Sequence, residues 1–172
     1  QSIEKLNAAW QTEHASWDAL AESRQPPDRA QAQGDLQSFG ARIADRFFQV
    51  CREAVKAVAP NNLYLGCRFS SSNPTVAEAA ARHCDVVSYN LYRTPDQLDI
   101  WQPDFEADAP VIIGEWHFGA LDRGLFHTGL RGTQSQEDRA KAYEDYVNIA
   151  LSKPWFVGCH WFKYKDQMAT GR

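Results

Sequence analysis

The 172-residue sequence predicts an α/β fold of parallel βα units, arranged as half of an eight-stranded (β/α)8 barrel of the TIM type. Three observations carry this. Four short apolar runs alternate with helix-patterned stretches, and strands that alternate with helices build βαβ units on a parallel sheet. Each run ends on polar or aromatic residues: Arg68, then Asn90 and Tyr92, then Glu115 and His117, then His160 and Trp161. Chemistry collected at the C-terminal ends of successive strands is the habit of that barrel. A doubly wound open sheet competes, but no GxGxxG follows any strand, which disfavours its nucleotide-binding form. Four strands make only half a barrel, and a whole one needs about 250 residues. The sequence is therefore expected to be a fragment.

In order, Ser2 to Asn7 forms a short helix with Ser2 as N-cap. Trp10 and Trp17 follow in polar surroundings, and Ser23 to Asp35 is a linker by composition. Residues 1–34 are thus a helix-loop segment and 35–172 the βα units. Asp35 opens a long helix whose Phe39, Ile43, Phe47, Cys51, Ala54 and Val58 recur at steps of three and four, predicting one buried stripe. Pro60-Asn61-Asn62 ends it. Leu63 to Phe69 is the first strand, Pro74 opens a helix, and Asp85 to Tyr92 is the second strand. A proline-containing loop runs to Asp108. Val111 to Trp116, led in by Pro110, is the third strand, apolar on both faces as a fully buried strand must be. After loop 117–134, Ser135 caps a helix to about Leu151, with Glu137 and Asp138 suiting its dipole and Ala142, Tyr146, Ile149 and Ala150 facing inward. Pro154 breaks it before the fourth strand, Phe156 to Phe162.

Composition narrows the function. With 44% hydrophobic and 23% charged residues the chain is globular. A net charge of −4 lacks the basic stripe that nucleic-acid binding requires. No apolar run approaches the roughly 20 residues of a membrane span. Cys51, Cys67, Cys84 and Cys159 have neither CxxC spacing nor a paired framework and read as core residues. His117, His127 and His160 have no helical i, i+4 pair among them, so no metal site is expected, and no cofactor either.

Glu115 is the candidate that matters. A carboxylate on the last turn of a buried strand is costly unless it has partners. Strand alternation places Val111, Ile113 and Glu115 on one face, with His117 continuing it, and Asn90 and Tyr92 together on a face of the strand before. The Tyr92 hydroxyl could then donate to Glu115. An oriented, ionised carboxylate among aromatic rings suits attack on an anomeric carbon. The competing reading is a structural ion pair of Glu115 with Arg68 or Arg123. Arg68 could equally bind substrate. Trp161 is either core or a platform under a sugar ring, and each histidine taken singly is more readily a satisfied core group than a ligand. Asp122-Arg123 reads as a local ion pair.

The stretch GEWHFGALDRGLFHTGL, Gly114 to Leu130, resembles the nucleophile strand and following loop of glycoside hydrolase family 50, the β-agarases. The resemblance extends through LNAAWQTEHASWDAL, APNNLYLGCRF, DVVSYNLYR and FVGCHWFKYKDQMATGR, so it covers nearly the whole chain. Gln11 departs from it, since that family usually has glycine there. The resemblance implies an eightfold βα barrel of clan A, of which these would be strands five to eight, and a retaining double displacement on the β-1,4 bonds of agarose. It makes Glu115 the nucleophile, Tyr92 its orienting partner, Trp161 the floor of the cleaved sugar's subsite and His117 a contact to the same sugar. Arg68, Asn90 and His160 join them as candidate substrate-binding residues. It also implies a secreted or periplasmic parent protein.

The clan's acid/base sits in an Asn-Glu pair, and no Asn-Glu occurs here. A retaining hydrolase needs two carboxyl groups about 5 to 5.5 Å apart, so the second is expected upstream, in the missing N-terminal half of the barrel. The chain alone should be inactive. Two alternatives remain: a β-galactosidase-like clan A hydrolase on another glycan, and a non-catalytic sugar-binding half barrel.

Overall fold

The structure, a computed structural model, describes residues 2–71 and 73–164. The closing KDQMATGR of the C-terminal stretch lies outside the described residues. Two compact units divide the chain, Gln1–Ile43 and Ala44–Arg172.

In the first unit, helix α1 (Ile3–Trp10) runs one turn further than expected, and Ser2 takes the N-cap position without a side-chain bond. It stops at Gln11, whose φ of 55° is left-handed, the conformation in which glycine is the usual helix terminator. The Asn7 side chain then gathers the turn: its Oδ1 accepts from Thr12 Oγ1 and the His14 amide, and its Nδ2 donates to the His14 carbonyl. A helix α2 (Trp17–Glu22), capped by Ser16 accepting from the Ala19 amide, occupies a stretch that its polar composition did not mark as helical.

Helix α3 (Gln33–Val58) starts two residues before Asp35. The expected stripe is not its buried face. Phe39, Ile43, Phe47 and Val58 are 62%, 54%, 50% and 87% exposed, whereas Ala44 and Phe48, one step round the helix, are buried. Apolar residues lie on two adjacent sides of this helix, and spacing alone cannot say which side the sheet covers.

The second unit holds a four-stranded, all-parallel sheet in the order β1 (Arg68–Phe69), β2 (Val87–Asn90), β3 (Val111–Trp116), β4 (Phe156–Trp161). Between the strands run α4 (Pro74–His83), α5 (Pro95–Asp99) and α6 (Gln136–Ser152). The parallel βα repeat is as expected; the first two strands are shorter than expected, and α5 was not anticipated. Leu63 to Cys67 lie outside the ladder; among them Gly66 turns at φ 62°, packed so that a Cβ there would lie 2.5 Å from Cys84 Sγ. Asn73 and Ser135 cap α4 and α6 by accepting from Val76 and Asp138.

One face of the sheet is covered by helices. Phe69, Val87, Tyr89, Val111, Ile113 and Trp116 pack there against Phe48, Ala80, Leu98, Tyr146 and Ala150. Trp116 stacks on Tyr146 at 4.1 Å between ring centroids, and the Tyr146 hydroxyl donates to the Leu91 carbonyl at 2.8 Å. Among the described residues no helix is long and apolar enough to cross a membrane.

Asp85 fastens α3 to the start of β2. It accepts from Arg52 Nη1 and Lys56 Nζ at 2.8 Å and from the Tyr64 amide at 2.7 Å. The Lys56 and Tyr64 donors, followed by Arg52, hold its carboxyl well below the usual carboxylate range. A depressed folded value contributes stability that is complete above the unfolded value, about pH 4, and is lost as pH falls towards the folded one. We therefore expect Asp85→Asn to lower the unfolding free energy by about 1–2 kcal/mol at neutral pH. In urea titrations the gap to wild type should narrow steadily below about pH 4.

Candidate active site

The site begins with an irregularity in β3. Tyr89 pairs with Ile113 but Asn90 pairs with Glu115, so β3 carries one residue more than β2 across that step. Against β4 the same excess separates the Ile113–Cys159 and Trp116–Trp161 pairs. The extra residue makes a β-bulge at Gly114, which breaks the alternation of side chains. Val111 and Ile113 are fully buried under the helices. Glu115 is turned to the opposite face, where simple alternation would not have put it, and Trp116 returns to the helix side.

Only glycine fits this bulge. A Cβ on Gly114 would meet Ser88 Oγ at 2.6 Å, Arg68 Nε at 2.9 Å and Asn90 Oδ1 at 3.1 Å. Those three contacts also define the face, on which Arg68, Ser88, Asn90 and Glu115 converge.

Each Glu115 oxygen has its own donor. Arg68 Nη1 donates to Oε1 at 2.8 Å while Nη2 donates to the Gly114 carbonyl at 3.1 Å. The Tyr92 hydroxyl donates to Oε2 at 2.8 Å. Burial first, then the bond to Glu115, raise the Tyr92 phenol above its ordinary range, so Tyr92 remains a donor. Both donors point at the carboxylate, and a carboxylate can accept on each of its oxygens. The Glu115 side chain keeps 18% exposure, on the face without helices.

Both readings of Glu115 thus find their partner: Arg68 makes the ion pair and Tyr92 the orienting bond. Stability alone is a weak reason for the pair. The Arg68 side chain is 49% exposed, and exposed pairs contribute about 0–1 kcal/mol.

Among the other candidates, Asn90 lies beside the bulge, and its buried Oδ1 has no hydrogen-bond partner among the described residues. His160 is exposed on β4, between Cys159 and Trp161, which both pack into the core, so alternation gives it the Glu115 face. Trp161 does not join the group. Its ring meets Trp116 edge-on at 4.9 Å and Tyr143 of α6 at 5.3 Å, with the Arg139 guanidinium 5.3 Å from its centroid. That is the helix side, and a platform under a sugar at Glu115 is not available to it there.

His117 is near the site, edge-on to Tyr92 at 4.9 Å, but both ring nitrogens are engaged by the backbone, Nδ1 with the Phe162 carbonyl and Nε2 with the Leu130 amide. Arg131, whose guanidinium donates to the Tyr92 carbonyl, was not foreseen. Asp122 and Arg123 stand 4.0 Å apart, and Asp122 also accepts from the Gln136 amide at the start of α6. No cluster of three metal-ligating side chains occurs among the described residues.

The chain is 40% identical over 176 residues to β-agarase B, and 42% identical over 177 to β-agarase A, both of Vibrio sp. (strain JT0107). Each alignment covers 99% of this chain and 18% of the relative, so the chain spans under a fifth of the length of the curated relatives it matches. Among solved structures it is similar to an exo-β-agarase, with a TM-score of 0.87 at 39% identity, covering 99% of this chain and 24% of that one. It is also similar to an agarase, AgWH50C, with a TM-score of 0.83 at 42% identity, covering 94% and 24%. No family model matches.

Gly114→Ala should cost about 1–3 kcal/mol, the usual penalty of an overpacked site. Chemical denaturation would measure it, and a loss under about 0.5 kcal/mol, the range of neutral surface changes, would contradict the packing described at the bulge.

Proposed function

On the premise that this chain is a stretch of a family 50 glycoside hydrolase, we propose that it supplies the nucleophile side of a retaining agarase active site. The observation that carries the reading is the carboxylate of Glu115, lifted by the bulge onto the face without helices and held by Arg68 and Tyr92. The four parallel strands are then strands five to eight of a (β/α)8 barrel, with Glu115 at the end of the seventh. The likeness to agarase structures over 94–99% of the chain supports this assignment.

The chemistry follows from the geometry. One Glu115 oxygen attacks the anomeric carbon of a galactose unit, and the bond to the leaving oxygen breaks as a glycosyl ester forms on the carboxylate. Arg68 and Tyr92 keep the attacking group ionised and aimed. They also stabilise the carboxylate when water later displaces the sugar and the ester bond breaks. Asn90, Arg68 and His160 lie on the same face as candidate contacts to the sugar. The leaving oxygen needs a proton, and no second carboxylate is bonded to or paired with the Glu115 group among the described residues. That acid/base comes from the remaining part of a longer protein, as do the barrel's first four strands.

The substrate class is the β-1,4-galactosidic linkage of agarose, giving neoagaro-oligosaccharides. A gel polysaccharide does not cross a membrane, which favours a secreted or periplasmic address for the complete enzyme.

In the full-length protein, Glu115→Gln should lower agarose turnover by roughly 10³-fold or more, the scale of removing a nucleophile. Tyr92→Phe should lower it roughly ten- to hundredfold, the worth of one hydrogen bond to a charge. Reducing-end assays on agarose measure both, and Glu115→Gln activity within tenfold of wild type would remove Glu115 from the reaction. The 172-residue chain by itself should release no oligosaccharide; release would show that an acid/base is present within it.

A further inference from the structure

We propose that His117 is a positioning residue, an uncharged latch that ties the ends of β2, β3 and β4 together and holds the loop after β3 at the rim beside Glu115. This rests on the active-site reading for its catalytic consequence, but the latch itself stands on geometry.

The imidazole is used on every side. The Leu130 N–H can only donate, so Nε2, 2.8 Å away, must be the acceptor. The proton therefore sits on Nδ1, which donates to the Phe162 carbonyl just beyond β4 at 3.0 Å. The ring packs edge-on to Tyr92, just beyond β2. No ring nitrogen is left for a sugar hydroxyl.

The loop is shaped around this ring. Gly129 has φ 77°, and a Cβ there would lie 2.4 Å from His117 Nε2, so only glycine lets the backbone come this close. Further along, the Gly119 amide donates to the Arg131 carbonyl at 2.8 Å, and the Thr133 amide donates to the Gly119 carbonyl at 2.7 Å. The Arg131 guanidinium reaches back to the Tyr92 carbonyl. The loop so fastened carries Phe126 at 85% exposure and Leu130 at 67%, apolar side chains displayed at the rim.

The latch works only while neutral. Burial, and then Arg139 of α6, hold His117 below the usual imidazole range, against the opposing pull of the Phe162 carbonyl and of Glu115 on its own strand; Tyr92 faces it with an uncharged ring. A protonated ring would turn Nε2 into a donor facing the Leu130 N–H, two donors with nothing between them. The fastening is therefore complete above the ordinary imidazole value, about 6.5, and weakens as pH falls through the lower folded value.

The test uses the full-length protein and two variants. His117→Phe keeps a ring against Tyr92 and removes both nitrogens; His117→Gln keeps one donor and one acceptor and does not titrate. Hydrogen exchange followed by mass spectrometry should show amides of segment 118–133 exchanging about tenfold faster in His117→Phe, the loss of one hydrogen bond, and restored in large part in His117→Gln. Once corrected for the slower intrinsic exchange at low pH, acidification should lower the protection of the same amides in wild type and not in His117→Gln. On agarose, His117→Phe should raise KM more than it lowers kcat. Unchanged exchange in His117→Phe overturns the latch. A fall in kcat with unchanged KM and unchanged exchange would make His117 a direct contact instead. The exchange measurement needs no substrate, so it judges the latch even if the wild-type protein leaves agarose intact and the agarase reading fails.

Discussion

A single carboxylate that needs two donors from two other strands sets the terms for this sheet. Arg68 comes from β1 and Tyr92 from the end of β2, and both must reach an oxygen on β3 at hydrogen-bonding distance. Neighbouring strands lie about 4.8 Å apart, so an in-register side chain on β3 does not meet both by default. The extra residue at Gly114 solves this by setting Glu115 back one position relative to β2, opposite Asn90 instead of Leu91, and turning it over. Its cost is a stretch of backbone with no side chain, filled from β1 and β2 by the Arg68, Ser88 and Asn90 side chains.

The bulge would be soft if nothing held the chain on either side. Before it, Val111 and Ile113 are sealed under the helices with no exposure. After it, Trp116 lies stacked on Tyr146 and edge-on to Trp161, and Tyr146 holds the Leu91 carbonyl next to Tyr92. The aromatic layer on the covered face therefore positions both the strand bearing the carboxylate and the residue that donates to it. Trp161 belongs to this supporting layer. Its aromatic surface is spent on Trp116, Tyr143 and the Arg139 guanidinium.

The repeating parts of the fold were legible in the sequence: parallel βα units, the Ser135 cap, the apolar runs at β3 and β4. So was the Glu115–Tyr92 bond, because both residues close their runs. What periodicity could not give was orientation. Strict alternation would put Glu115 beside Ile113, and the bulge that reverses it shows only as a glycine between two large residues. The stripe on α3 had the right spacing and the wrong side, because Phe47 and Phe48 are neighbours and either could have faced the sheet. His117 was readable as a sugar contact only by resemblance; its engagement with Leu130 and Phe162 depends on residues 13 and 45 positions away. Gln11 is a case where the resemblance carried physical content, since a glycine at that position matches the left-handed turn found there.

If Glu115 is the nucleophile proposed above, the arrangement also constrains where its acid/base partner would stand. Both Glu115 oxygens are already engaged, Oε1 from the β1 side by Arg68 and Oε2 by Tyr92 from beyond β2. His117 and the loop from Gly119 to Thr133 close over the end of β3 towards β4. Among the described residues what remains open is the sheet face itself, on which His160 is exposed. A second carboxyl within about 5.5 Å of Glu115 would therefore have to stand across that face and not alongside it in the same sheet. In a closed barrel that position belongs to a strand on the opposite wall, so a sheet curled round to face itself meets the geometric demand of a double displacement, and four strands alone do not.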